Sequence, residues 1–239
     1  MNDLWQKIID IFLPPYCLKC HKILTATDSL CPECFHKIQF ISAPYCPHCG
    51  VPLSSERKQG LLCAGCSQEK EPLFRMNRAG IYYDKESRPL ILDFKFRDKT
   101  ENAPLLAKWM VLGGRDIFQA GVDVIIPIPL HYTRMIKRRY NQSVLLAKEL
   151  TKITGIANDF QSVIRHRKTK PQVDFSGKER IYNVKNAFCV KYPQNLQNKR
   201  VLLIDDVMTT GSTLRECAKV IKAAGAKSID SLTIARVIK

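Results

Sequence analysis

Hydrophobic positions from about residue 72 onward alternate between strand-like and helix-like spacing. Short uninterrupted apolar runs are typical of buried parallel strands, and apolar residues three or four positions apart are typical of helices. The predicted strands are 79–83, 122–126, 163–165, 201–204 and 228–235, and the predicted helices are 89–94, 104–112, 141–154 and 214–224. This order predicts an α/β domain with a parallel sheet and helices on both faces.

The first part of the chain has a different pattern. Apolar residues at 4–12 predict a short amphipathic helix that ends at Pro14 and Pro15 and docks on the body, with contact to a membrane surface as the alternative. No stretch is long and apolar enough to span a membrane, and the N-terminus lacks the pattern of a secretory signal. We therefore expect a cytoplasmic protein. The polar segment 67–72 predicts a boundary between domains of residues 1–71 and 72–239.

Eight of the ten cysteines form four CxxC pairs in the first domain. Each pair can hold one tetrahedral ion from a single turn, so four pairs predict two structural zinc sites and a small zinc-ribbon domain. Sequential pairing predicts the two ligand sets Cys17, Cys20, Cys31, Cys34 and Cys46, Cys49, Cys63, Cys66. Crossed pairing of the first pair with the last remains open. A disulfide framework is the less favoured alternative, because a reducing compartment keeps thiols free.

The most informative segment for function is Val201–Leu214, which reads VLLIDDVMTTGSTL. Two carboxylates, Asp205 and Asp206, follow the apolar run at the edge of the sheet where ligands bind in open α/β folds. A hydroxyl-rich loop then precedes a predicted helix; its residues are Thr209, Thr210, Gly211, Ser212 and Thr213. A loop that opens a helix offers backbone N–H groups and a positive dipole end to an anion. The pattern predicts a site for a phosphate beside a sugar diol.

This string resembles the ribose-5-phosphate loop of the type I phosphoribosyltransferases, which bind phosphoribosyl pyrophosphate (PRPP). The resemblance implies that Asp205 and Asp206 hold the ribose hydroxyls, directly or with Mg²⁺, as the catalytic pair. It also implies that the loop 209–213 holds the 5-phosphate.

Basic residues follow two other predicted strands. They are Arg134, Arg138 and Arg139 after the turn at 127–131, and Arg165, Arg167 and Lys168 at and beyond the end of the strand 163–165. In the phosphoribosyltransferase fold the first of these loops faces the pyrophosphate, and the second segment resembles the flexible hood loop over PRPP. We expect these six residues to face pyrophosphate or DNA, with an ordinary solvated basic surface as the alternative.

Charge points to a polyanionic partner independently of any family. The formal net charge is +16, and residues 131–191 contain 14 Lys and Arg against 4 Asp and Glu. Basic surfaces attract nucleic acid, and aromatic residues interleaved with this segment, among them Tyr140, could stack on unpaired bases. Packing in the core or under the hood loop is the alternative for these rings, and it is the favoured interpretation for Phe188. We therefore expect single-stranded DNA as a partner.

The order of these motifs over nearly the whole chain resembles the ComF family of competence proteins. Its elements are the CxxC pairs, Lys95-Phe96, a Pro-rich turn with a Tyr-Asn-Gln box, and the loop at 205–213. One departure is Arg139-Tyr140, where the family more often has Gly-Phe. The resemblance implies a cytoplasmic protein of natural transformation that acts on incoming single-stranded DNA with a helicase partner.

Two functions remain open at this point. In the first, a competence factor handles DNA and keeps the PRPP site for binding. In the second, the protein is a Mg²⁺-dependent phosphoribosyltransferase that transfers ribose 5-phosphate to an unknown acceptor. A recognisable acceptor pocket would separate the two functions, and fold likeness alone does not establish an activity.

Overall fold

The centre of the molecule is a four-stranded parallel sheet. The computed structural model describes residues 14–54, 60–131, 140–167 and 184–238, so the predicted helix at 4–12 lies outside the described residues. The sheet strands are β1 (Asn77–Tyr82), β2 (Val124–Pro127), β5 (Arg200–Met208) and β6 (Ser228–Arg236). Their order across the sheet is β1-β6-β5-β2, which confirms the predicted parallel sheet.

Helices connect the strands and cover both faces of the sheet. Among the described residues, two short helices, α1 and α2, lie in the cysteine-rich segment, and five more lie further along the chain. Their bounds are α1 Pro32–Phe35, α2 Ala64–Ser67, α3 Arg88–Phe96, α4 Ala103–Gly113, α5 Arg115–Gln119, α6 Gln142–Thr154 and α7 Ser212–Ala223. Short 3₁₀ turns at Thr100–Asn102 and Pro193–Asn195 complete the described helical elements.

Alternate residues of β5 point into two separate apolar cores, as expected for a strand with period two. Leu202 and Ile204 pack with apolar residues of α3 to α6 on one face. Val201 and Leu203 pack with residues of α7 on the other face. All four side chains are fully buried. Because both faces are covered, β5 is apolar without alternation until it reaches the carboxylates at its carboxyl end.

The strand predicted at 163–165 forms, but it lies outside the parallel sheet. It is β3 (Val163–Arg165), and it pairs antiparallel with β4 (Phe188–Val190), a three-residue strand that the sequence pattern did not predict. Val163 and Phe188 are buried and pack in the core on the α7 face of the sheet. The pair thus forms a small separate sheet beside the main one.

The cysteine-rich segment docks on the outer edge of β1. The Ile41 N–H donates to the Gly80 carbonyl at 3.0 Å, and the Tyr82 N–H donates to the Gln39 carbonyl at 2.9 Å. This contact covers an edge that would otherwise expose unpaired backbone groups. The domain boundary between residues 71 and 72 stays a prediction. Throughout the described ranges, the structure contains no helix with the length and apolar character needed to cross a membrane.

Candidate functional site

The carboxylates Asp205 and Asp206 lie within β5, which continues to Met208 instead of ending at Ile204. Backbone pairing extends this far because Asp205 lies opposite Thr233 and Val207 lies opposite Ala235 of the central strand β6. The two aspartates therefore belong to a hydrogen-bonded strand, and a strand holds side chains in more precise positions than a loop does.

The two carboxylates have different partners. Lys95 Nζ lies 2.7 Å from Asp206 Oδ2, and Ser143 Oγ donates to Asp205 Oδ1 at 3.3 Å. The Asp206 N–H also donates to Asp205 Oδ1, at 2.9 Å. Burial, followed by the neighbouring charge of Asp206, raises the pKa of Asp205 to about 7, although Lys95 acts in the opposite direction. The pair therefore carries less negative charge near neutral pH than two ordinary aspartates would.

The hydroxyl-rich loop opens α7 with a tight, left-handed backbone. Gly211 has a φ of +70°. This left-handed conformation favours glycine, whereas the nearest atom to a Cβ here is the flexible end of Met208, at 2.9 Å. The Ser212 N–H and Thr210 Oγ1 lie 3.4 Å apart, and Thr210 Oγ1 lies 3.1 Å from Ser212 Oγ. The segment 209–213 thus places hydroxyls and the first N–H groups of α7 together, as a phosphate requires.

The Tyr-Asn-Gln-Ser segment at 140–143 holds this site together. Tyr140 Oη donates to the Phe94 carbonyl at 2.8 Å, and Gln142 Nε2 donates to the Lys95 carbonyl at 2.9 Å. Asn141 caps α6 by accepting from the Ser143 N–H at 3.0 Å. These bonds fix Lys95 at the end of α3 and Ser143 at the start of α6, where both side chains reach the carboxylates.

Lys95 and Ser143 were not among the site residues predicted from the sequence. The sequence pattern placed Lys95 only in the family resemblance and Ser143 only within the predicted helix 141–154. The capping pattern at 141–143 predicts a helix start, but no local pattern connects that start with Asp205, 62 positions away in the chain. The contacts depend on tertiary packing.

The structure places the predicted basic residues unequally. Arg165 is 7% exposed, and its guanidinium lies over the Phe188 ring at 5.3 Å from the ring centre. Within β3 this side chain points towards the interior, and a role of Arg165 towards DNA or pyrophosphate stays a prediction. Arg167 is exposed and donates to the Lys185 carbonyl. Arg134, Arg138, Arg139 and Lys168 lie outside the described residues.

The cysteines form two compact tetrads with the sequential pairing. The four ligand atoms in each tetrad lie within 4.8 Å of one another; the sets are Cys17, Cys20, Cys31, Cys34 and Cys46, Cys49, Cys63, Cys66. Four thiols at this spacing suit a closed tetrahedral zinc site, which leaves no position for a reactive water. The crossed pairing is excluded.

Backbone N–H groups around one thiol of each tetrad favour its ionised form. Although burial raises the pKa of Cys17, N–H groups of Cys20, Cys31 and Lys19 lower it to about 6. The same balance lowers the pKa of Cys46 to about 6. Thiolate is the form that binds zinc, so these N–H groups favour the metal-binding form of one ligand in each tetrad.

The second tetrad rests directly on the sheet. The Asn77 N–H donates to the His48 carbonyl at 2.8 Å, and the Arg236 guanidinium donates to the Cys49 carbonyl. Gly50 has a φ of +68°, and a Cβ there would lie 2.3 Å from the Asn77 carbonyl oxygen. The tetrad therefore approaches β1 and β6 closely and with fixed geometry.

A cavity of about 440 Å³ lies between the second tetrad and the hydroxyl-rich loop. Its lining residues are His48, Cys49, Cys63, Gly65, Cys66, Gln68, Glu69, Leu73, Phe74, Asn77, Met208, Thr209, Thr210, Gly211, Arg215 and Arg236. Neither Asp205 nor Asp206 belongs to this set. The cavity therefore meets the loop at residues 209–211 and does not include the carboxylate pair.

Two family models match the chain. The Double zinc ribbon domain matches residues 8–67, and the Phosphoribosyl transferase domain matches residues 125–239. Among curated proteins, the chain is 34% identical to Competence protein F of Haemophilus influenzae, over 92% of this chain and 96% of that protein. It is 32% identical to DNA utilization protein YhgH of Escherichia coli K12, over 81% and 84%, and 23% identical to Competence protein ComFC of Streptococcus pneumoniae, over 90% and 91%.

Proposed function

Because the chain belongs to the family of Competence protein F and DNA utilization protein YhgH, we propose that it acts on incoming single-stranded DNA in natural transformation. We propose further that its phosphoribosyltransferase-like domain binds PRPP or a related sugar phosphate, with Mg²⁺. The observation that carries this proposal is the position of Asp205 and Asp206 on β5, directly before the hydroxyl-rich loop 209–213 that opens α7.

The arrangement supplies both halves of a sugar-phosphate site. The carboxylates can accept hydrogen bonds from a ribose diol, and the loop can donate N–H and O–H groups to the 5-phosphate. Carboxylate and phosphate oxygens are also the ligands that Mg²⁺ prefers. Lys95 shares Asp206 with any such ligand, so its ammonium would help hold the carboxylate in place while the sugar binds.

Positive charge supports the DNA part of the proposal. The excess of Lys and Arg is concentrated in residues 131–191, and Arg167 is an exposed member of that segment. Phosphate contacts from such residues give salt-dependent binding that does not depend on base sequence. The names of the relatives refer to competence and DNA utilization, which agrees with a DNA ligand. We also propose a helicase partner, as the ComF resemblance implies, and a cytoplasmic location.

Transfer of ribose 5-phosphate is a second candidate function. It is favoured by Asp205, because a carboxyl with a pKa of about 7 suits proton transfer at neutral pH. In that reaction the bond from C1 to pyrophosphate breaks, with its electron pair leaving on pyrophosphate, a bond from C1 to an acceptor nitrogen forms, and the proton of that nitrogen would pass to a base such as the Asp205 carboxylate. Asp205 and Asp206 would hold the ribose hydroxyls during this exchange. Release of pyrophosphate from PRPP in the presence of candidate acceptors tests this function.

The sugar-phosphate site is tested by calorimetric titration of the zinc-loaded protein with PRPP and Mg²⁺. The double variant Asp205→Asn with Asp206→Asn should abolish binding and leave the fold intact, because the amides keep the size of the carboxylates but not their charge. Glu149→Gln is the matched control, since Glu149 lies on α6 and pairs with Lys152 at the surface. PRPP binding by the double variant at the wild-type affinity contradicts the site.

The DNA part is tested by fluorescence anisotropy with a labelled single-stranded oligonucleotide at several salt concentrations. Arg167→Gln should weaken binding and reduce the salt slope by about one, because one phosphate contact is lost. Lys108→Gln, at an exposed position of α4, removes the same charge away from the basic segment and should leave the slope unchanged. If the wild-type protein does not bind the oligonucleotide at moderate salt, the DNA proposal fails.

A further inference from the structure

The cavity between the second cysteine tetrad and the loop 209–211 has the size and the fixed walls of a ligand site. Its volume of about 440 Å³ lies within the usual range of ligand pockets. One wall is held by the bonds from Asn77 and Arg236 to the ribbon, described above. The opposite wall is the phosphate loop itself. The zinc ribbon therefore contributes a wall of the cavity in addition to its own fold.

The chemistry of the walls suits a nucleotide. Leu73, Phe74 and Met208 supply apolar surface for a planar base. The Arg215 guanidinium, on the first turn of α7, lies near the loop, whereas the Arg236 guanidinium bonds to the Cys49 carbonyl of the ribbon. The thiols of the tetrad and the carboxylate of Glu69 lie on the ribbon side. Arg215 and the N-terminus of α7 favour a phosphate at the loop, and the apolar residues offer surface to a base in the rest of the cavity.

PRPP does not account for this cavity. With its ribose at Asp205 and Asp206 and its 5-phosphate in the loop, the ligand ends at that phosphate. The cavity begins at the same loop and does not include the carboxylates. A ligand that fills it must continue past the 5′ phosphate, and a nucleic acid strand does so through its phosphodiester bond to the preceding nucleotide.

The carboxylates restrict which part of a strand can occupy the site. An internal nucleotide would bring its 3′ phosphate against Asp205 and Asp206, and like charges repel. A terminal nucleotide carries a free 3′ hydroxyl, which can donate a hydrogen bond to a carboxylate. The carboxylate pair therefore favours the 3′ end of a strand.

From these steps, which rest on the proposed function, we propose that the site receives the last two nucleotides at the 3′ end of a single strand. The terminal sugar lies at Asp205 and Asp206, its 5′ phosphate lies in the loop 209–213, and the preceding nucleotide lies in the cavity against the zinc ribbon. The second cysteine tetrad is then part of the nucleic-acid surface.

Two neighbouring residues of α2 give a matched pair of variants. Gly65 lines the cavity, and a Cβ there meets no atom within 4 Å, so Gly65→Leu fills space without straining the backbone. Ala64 is exposed on the same helix and does not line the cavity, so Ala64→Leu is the control. Both positions lie between Cys63 and Cys66, so the zinc content of each variant is measured alongside its binding. Two zinc ions per chain and unchanged PRPP affinity show that each variant is folded.

The full-length, zinc-loaded protein is titrated calorimetrically with thymidine 5′-phosphate and with the dinucleotide TpT. The stacking of one base should make TpT, with its additional nucleoside, bind about 5- to 150-fold more tightly than thymidine 5′-phosphate in the wild type and in Ala64→Leu. The gain should vanish in Gly65→Leu. A 3′ phosphate on the dinucleotide should weaken binding by about the same factor.

Three results overturn the inference while leaving the proposed function standing. They are an undiminished gain in Gly65→Leu, equal binding of the 3′-phosphorylated dinucleotide, and loss of PRPP binding in Gly65→Leu with zinc retained, which would place PRPP itself in the cavity. If the wild type binds neither TpT nor longer single strands, the proposed DNA function fails, and the inference fails with it.

Discussion

The variant Asp205→Asn should be more stable to unfolding than the wild type, and the difference should grow as the pH rises. Burial and Asp206 raise the pKa of Asp205 from 3.8 to about 7, so the folded chain holds a proton that the unfolded chain has released. The stability that this proton provides is fully present below about pH 4 and is lost as the pH rises towards 7. Asn cannot ionise and retains the acceptor oxygen that faces Ser143. The free energy of unfolding of the variant therefore does not fall through ionisation at this position.

The size of the effect follows from the same pKa values. Between about pH 5 and 7 the wild type should lose about 1.4 kcal/mol per pH unit relative to Asp205→Asn, with a ceiling on the order of 4 kcal/mol above pH 7. Urea denaturation with zinc present, repeated across this range, measures the difference. Asp206→Asn is the matched comparison, because it leaves the Lys95 ammonium without its carboxylate and should destabilise the protein. Parallel pH profiles for wild type and Asp205→Asn would refute a raised pKa at this position.

Three further changes test other parts of the molecule. Metal analysis should find two zinc ions per chain, and Cys17→Ser and Cys46→Ser should each remove one of them. A strong chelator should unfold the ribbon segment. If either variant retains both ions, its tetrad is not a zinc site. Gly50→Ala should lower the melting temperature by several degrees because its Cβ would collide with the β1 backbone, and an unchanged melting curve would refute that contact. Arg138→Ala with Arg139→Ala, in a segment outside the described residues, should weaken single-stranded DNA binding and flatten its salt dependence; unchanged affinity and slope would remove both from the DNA surface.

Local pattern was sufficient for the sheet and the zinc ligands. The apolar run Val201–Ile204 predicts a buried strand because both faces of the sheet are covered. The CxxC spacing predicts the metal ligands because two cysteines of one turn converge without help from the rest of the fold. The pairing of the tetrads needed the structure, since spacing alone allows both arrangements.

Contacts between segments that are distant in the chain could not be predicted from the sequence pattern. The extension of β5 to Met208 depends on pairing with β6, and β4 has only three residues and no independent periodicity. Arg165 lies in a run of basic residues that predicts exposure, yet its alternation within β3 buries it. The support of Asp206 by Lys95 joins two elements that no local pattern relates.

The central position of β6 constrains how the chain can fold as it is synthesised. β6 lies between β1 and β5, so the first strand of the sheet has no neighbour on that side until Ser228–Arg236 have left the ribosome. The ribbon segment can bind zinc much earlier, because its ligands lie close together in the chain. A nascent chain should therefore have a metal-stabilised N-terminal segment while its other apolar strands are still unpaired with β6. Chains that terminate before residue 228 would lack β6, so β1 and β5 would stay unpaired on the side that faces it, and such chains would be substrates for chaperones and proteases.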